Sequence, residues 1–129
     1  MYMNSKIPDQ MSVGVDMCEI KRLGRIIDQH GDRFLNKVYT LHEILYCRKM
    51  CDPNPSFAVR FAAKEAFLKA LGTGLRDGIR WHEIEIINDE LGKPAMHITG
   101  RAAELLDGRQ VALSMSHTRD NAIAFVLLT

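Results

Sequence analysis

Cysteine is scarce and odd in number: Cys18, Cys47 and Cys51 are the three in 129 residues. An odd count in a chain of this length speaks against a disulfide framework and points to a reducing compartment. No Cys-x-x-Cys occurs, and no histidine pair accompanies Cys47 and Cys51, so a metal site is not expected there. Four residues apart, these two would share one face of a helix, and the plain expectation is two small apolar side chains there. Long apolar runs are also missing. The longest, Ala122–Leu128, has seven residues, far short of the about 20 that span a bilayer. The opening stretch MYMNSKIPDQM lacks the apolar segment of a signal peptide. A cytoplasmic protein is the expectation, with no membrane partner. Excess charge of one sign is lacking as well. There are 17 basic and 16 acidic residues, a net of +1, which excludes nucleic-acid or membrane-surface binding driven by bulk charge. The balance is a cancellation: residues 1–75 carry 11 basic and 8 acidic side chains, and residues 76–129 carry 6 and 8.

What is present reads as a single domain over residues 12–129, behind a polar leader at residues 1–11 that contains Pro8. Val13, Val15 and Met17 alternate with Gly14 and Asp16, which predicts a strand over residues 12–17. Helical spacing follows through Ile20, Leu23, Ile26 and Ile27 and stops at Gly31. Residues 34–50 read as one or two short helices, and Cys51-Asp52-Pro53-Asn54-Pro55 breaks them. Residues 56–71 are the strongest helix, halted by Gly72-Thr73-Gly74. Two hairpins come next, residues 81–98 and 111–128, with a short helix at 100–106 between them. The order predicts an α+β fold, an antiparallel sheet with helices packed on one face.

Three places carry candidate chemistry. On the helix of residues 56–71, Arg60, Lys64 and Glu65 share the broad arc of Phe57, Phe61, Phe67 and Leu68, with Lys69 at its edge. The other arc holds Val59, Ala62, Ala63, Ala66 and Ala70. The plain reading is a Glu65–Lys69 pair and solvated cations; charges among large apolar groups are costly unless paired, so a site is the alternative. Asp16, with Glu19 three residues on, has capping-box spacing. Alternatively it is a carboxylate at the end of a strand, which with a second such as Glu65 suits Mg²⁺ and phosphate oxygens. Finally, Ser114-Met115-Ser116-His117 has no nucleophile elbow, so His117 reads either as a phosphate donor or as an idle hairpin-end residue.

Taken in order, VGVDMCEIKR at 13–22, RFAAKEAFLKALGTG at 60–74, GKPAMHITGRA at 92–102 and LSMSHTRDNAIAFV at 113–126 resemble the small holo-acyl-carrier-protein synthases. These are bacterial 4'-phosphopantetheinyl transferases, and the resemblance runs over nearly the whole chain. It implies the fold of that family and its reaction. Coenzyme A gives its phosphopantetheine arm to a serine of apo acyl carrier protein, adenosine 3',5'-bisphosphate leaves, and fatty acid biosynthesis is supplied. It also implies Mg²⁺ held by Asp16 and Glu65. Lys64 would neutralise pyrophosphate charge, and Glu65 is the first choice of base. Arg60, Lys69 and His117 would contact phosphates, and Gly72 and Gly74 would lie by the nucleotide. Small members form homotrimers with sites at the subunit interfaces, so a trimer is expected. Carrier proteins are acidic; Lys21, Arg22, Arg25, Arg33 and Lys37 against Asp28 and Asp32 give a basic surface to dock one. The competing readings are a carrier-binding module without catalysis, which would not need the Asp16/Glu65 pair, and a small nucleic-acid binder, for which the basic and aromatic sheet face is lacking.

Overall fold

Alternating apolar residues make β1, Ser12–Glu19, and it pairs antiparallel with β5, Asn121–Leu128, which pairs in turn with β4, Val111–His117. This computed structural model describes residues 10–129, so residues 1–9 of the expected leader lie outside the described residues. The sheet order is β1-β5-β4, and a separate ladder joins β2, Ile84–Asn88, to β3, Pro94–Ile98. Between β1 and β2 come α1, Ile20–His30; α2, Asp32–Val38; α3, Leu41–Arg48; and α4, Asn54–Leu71. A short α5, Gly100–Leu106, links the hairpins.

Helix α4 crosses the inner face of the three-stranded sheet. Its small residues allow this: Ala62, Ala63, Ala66 and Ala70 are all buried. The sheet answers with Gly14, where an added Cβ would land on the Ala66 carbonyl oxygen and 2.7 Å from the Ala70 nitrogen. Backbone therefore meets backbone, and only glycine fits at that point of β1. Pro53 and Pro55 open α4, and Gly72 closes it in a left-handed conformation (φ 82°), its N–H bonding to Leu68 and Lys69 carbonyls. One core lies between α4, β5 and the β2–β3 hairpin, around Phe67, Ile84, Ile86 and Val126. A second packs α1, α2 and α3 on the first half of α4, around Leu23, Leu35, Tyr39 and Phe57.

The α+β expectation holds, with its strands divided into two ladders and the helices on one face of the larger. Two local expectations change. β1 runs on to Glu19, so Asp16 sits inside the strand opposite Ala124, not at its end and not at a helix cap. Glu19 precedes α1 and makes no side-chain capping bond. The capping box is instead at α3, where Thr40 and Glu43 bond each other's backbone N–H. The strand expected from Trp81 begins at Ile84, because Trp81–Glu83 closes a 3-10 turn first.

Candidate active site

β1 and α4 together bring three charged side chains to one point. In β1, Asp16 shares the α4-facing side with Gly14 and Cys18, because side chains alternate along a strand. In α4, Glu65 and Lys69 are four residues apart and so stack on one helix face. Lys69 Nζ donates to Asp16 Oδ1 at 2.8 Å and to the Val15 carbonyl at 3.3 Å. Asp16 is mostly covered, its side chain 17% exposed. Glu65 is half-buried, and burial followed by the Asp16 charge pushes its carboxyl above the usual range, with Lys69 opposing. Lys69 is held above the ordinary lysine value, first by its hydrogen bond to Asp16. The cluster is thus two mutually repelling carboxylates moderated by one ammonium.

Next to it lies a hollow of about 150 Å³ whose walls include Met17, Cys18, Arg22, Leu23, Ile26 and Phe61. The Cys18 thiol on its wall is pushed up to about 11 by burial and by Asp16, so it is a poor nucleophile. Lys21, Arg22, Arg25 and Arg33 are exposed on α1 and α2, with Arg25 loosely paired to Glu19 at 3.8 Å.

Other expected site residues are placed elsewhere. Lys64 does not face the Asp16/Glu65 cluster. It is one residue from Glu65 and therefore about 100° around the helix. Its side chain is fully buried, with Nζ 2.7 Å from Glu43 Oε1. An ammonium so enclosed does not reach a pyrophosphate in this conformation. Arg60 lies on the Lys64 side of α4. Its guanidinium donates to Ser56 and Asn88, lies 4.4 Å from the Tyr46 ring centroid, and leaves Nε without a partner among the described residues. His117 is exposed on the sheet's α4 face, in the row Cys18–Ala122–His117. That puts it two strand spacings from β1, roughly 10 Å. Gly72 and Gly74 both take positive φ, and an added Cβ at either would meet nothing within 4 Å, so their backbone is open to an approaching group. Sequence reasoning missed Glu43 and Asn88. For Glu43 a signal existed, the Thr-x-x-Glu spacing from Thr40; Asn88 had none, since its partner Arg60 is distant in the chain.

The Asp16/Glu65 pair fits a hard divalent cation. Its donors are carboxylate oxygens, and their repulsion, which adds to burial in raising Glu65, is what a cation relieves. Among the described residues no three His, Cys, Asp or Glu side chains gather to hold a metal. Two protein ligands, with water and phosphate oxygens filling the remaining positions, is the Mg²⁺ pattern rather than that of a closed protein cage.

The sequence model of the 4'-phosphopantetheinyl transferase superfamily matches residues 12–126, a span that holds every residue of this cluster. The chain belongs to that superfamily. Among the superfamily's curated members, it is 44% identical over 121 residues to holo-[acyl-carrier-protein] synthase of Koribacter versatilis, covering 92% of this chain and 97% of that one. The crystal structure of the synthase from Neisseria meningitidis superposes with a TM-score of 0.81 at 38% identity, over 92% of this chain and 97% of that chain. The Helicobacter pylori synthase, solved in complex with coenzyme A, gives 0.82 at 27% identity, over 91% and 99%. The superfamily fold is therefore the one seen here, and no helix among the described residues is long and apolar enough to cross a membrane.

Proposed function

We propose that this protein is a holo-acyl-carrier-protein synthase, transferring 4'-phosphopantetheine from coenzyme A to a serine of apo acyl carrier protein. The observation that carries it is the Asp16–Glu65–Lys69 cluster, lying inside a superfamily match of residues 12–126. In the reaction the serine oxygen bonds to the pantetheine-bearing phosphorus. The bond from that phosphorus to the bridging oxygen breaks, and adenosine 3',5'-bisphosphate leaves. Asp16 and Glu65 would hold Mg²⁺, which supplies charge neutralisation for the pyrophosphate when bound. Glu65, beside the pyrophosphate, is the group that takes the serine proton. Lys69, more than half exposed, turns from Asp16 to stabilise charge on the departing phosphate. The open backbone at Gly72 and Gly74 lets the nucleotide approach closely. No serine of this chain needs activating, because the nucleophile arrives with the carrier.

The acidic carrier docks on Lys21, Arg22, Arg25 and Arg33, beside the hollow that adjoins the cluster. Residues 12–129 act as one transferase domain in the cytoplasm. Three copies form a trimer through the outer face of the β1-β5-β4 sheet, where Val13, Val15, Met17, Ile123 and Phe125 stand 39–63% exposed. At such an interface the exposed His117, at the end of β4, would be brought toward the site of the next copy, whereas Arg60, buried against Ser56 and Asn88, would not. The test is incubation with coenzyme A, Mg²⁺ and an apo carrier protein, read by mass. The carrier gains a phosphopantetheine, and Glu65→Gln abolishes the gain while carrier binding persists. No gain with the unaltered protein overturns the reading.

A further inference from the structure

The one ion pair of α4 that the reaction leaves unused is also the most enclosed. Lys64 and Glu43 are both 0% exposed, with Nζ 2.7 Å from Oε1. Glu43 Oε1 also accepts from the Thr40 N–H at 2.9 Å, and Oε2 accepts from the Ile86 N–H at 2.9 Å. Lys64 Nζ donates further to the Trp81 carbonyl at 3.3 Å. One pair therefore ties α4 to the start of α3, to β2 and to the Trp81–Glu83 turn.

Such a pair is weak evidence for stability, since well-packed apolar replacements are often as stable or more so. Its directional bonds instead fix orientation. α4 needs fixing, because it is buried on nearly every side and its β1 contact is a smooth run of Ala62, Ala63, Ala66 and Ala70. Small side chains give little resistance to rotation about the helix axis. Lys64, bonded at both Glu43 and Trp81, adds a directional hold to the packing of Phe57, Phe67 and Leu68, and in that rotation the next residue, Glu65, points to Asp16. The bond to Trp81 does a second thing. It seats the turn so that the Trp81 ring lies against Phe61, centroids 5.5 Å apart, and Phe61 is a wall of the hollow beside the cluster.

We propose that Glu43 and Lys64 are positioning residues for the transfer reaction, acting through the orientation of α4 and the seating of Trp81 and touching neither substrate. This rests on the synthase reading above. The experiment replaces both charges with neutral groups of similar shape, Glu43→Gln with Lys64→Met, so that no buried charge is left unpaired. Transfer is measured with varied carrier concentration, beside the unaltered protein and a thermal melt. The variant should melt cooperatively, its KM for the carrier within about twofold and its kcat down by about tenfold or more, the mark of a misplaced reacting geometry. A purely structural pair would move the melting temperature and leave kcat alone; a folded variant with full kcat overturns the proposal. If that double variant does not fold, Glu43→Met with Lys64→Met, which likewise leaves no buried charge unpaired, reads the same split, and full kcat there overturns it equally. Absence of transfer by the unaltered protein would instead sink the synthase reading, so the two failures are distinct.

Discussion

Lys69 Nζ sits 2.8 Å from Asp16 Oδ1, bridging a β-strand and a helix 53 residues apart in sequence. The ammonium lowers the cost of having Asp16 and Glu65 side by side: after burial, Asp16 pushes the Glu65 carboxyl up and Lys69 opposes the rise, while the bond to Asp16 raises Lys69. Asp16→Asn removes a like charge from Glu65, so the Glu65 carboxyl must titrate at lower pH. Lys69→Met removes the one cation that opposes the rise, so Glu65 must titrate at higher pH. Carboxyl carbon NMR across a pH series reads both signs. Movement in the same direction in the two variants would remove the electrostatic coupling from this account.

The same shift has a consequence for stability. Glu65 in the fold holds its proton to higher pH than in the unfolded chain. Between those two values the folded state binds more protons, so stability falls as pH rises through that window. Glu65→Gln removes the penalty. Without divalent cation the variant should be more stable than the unaltered protein at neutral pH, and the difference should vanish below the ordinary carboxylate range. Urea titrations at the two pH values measure it. Equal stability at neutral pH would mean that burial of Glu65 costs the fold nothing.

How far the sequence carries the site depends on how local each signal is. Val13/Val15/Met17 alternation places Asp16 on the inner side of β1, and helical spacing places Glu65 and Lys69 on one face of α4; both are short-range and both survive in the structure. The misreadings at Asp16 and Lys64 have one cause. A capping motif and a charged arc are local patterns, while the extent of β1 is decided by pairing with β5 over 100 residues away, Glu19 opposite Asn121. Likewise the burial of Lys64 is decided by Glu43, 21 residues off. Arg60 meets Asn88 across 28 residues, and no periodicity within α4 could have named that partner.

The bare side of the sheet gives a test of assembly. Val15 lies directly opposite Phe125 in the β1–β5 register, and they are 49% and 44% exposed. Two large apolar side chains paired in the middle of a sheet face, flanked by Val13, Met17 and Ile123, form a patch that water covers poorly. Phe125→Lys places a charge at its centre and leaves the inner face, with Ala124 and Val126, untouched. Sedimentation should show trimer for the unaltered protein and monomer for the variant, with a cooperative melt retained in both. Under the proposed trimer, in which a neighbouring copy completes each site, loss of transfer should accompany dissociation. A variant that stays trimeric would place the contacts on another face.

In the proposed docking of the carrier, the basic surface of α1 and α2 meets an acidic partner. Arg22 is exposed on the first turn of α1, and it also lines the hollow beside the cluster, so it stands between the basic helix surface and the reacting groups. A charge in that position acts on encounter and on orientation together. Arg22→Glu reverses it at an exposed position of α1, while the core contacts of that helix are made by Ile20 and Leu23. Carrier affinity should fall by about tenfold or more, the scale of an interface cation placed opposite acidic groups. The remaining binding should weaken less with added salt, since one attractive pair has been lost to screening's reach. Titration calorimetry at two ionic strengths measures both effects in one series. A variant that binds with unchanged affinity and unchanged salt dependence would take α1 out of the carrier interface, and the basic excess of the N-terminal half would need another partner.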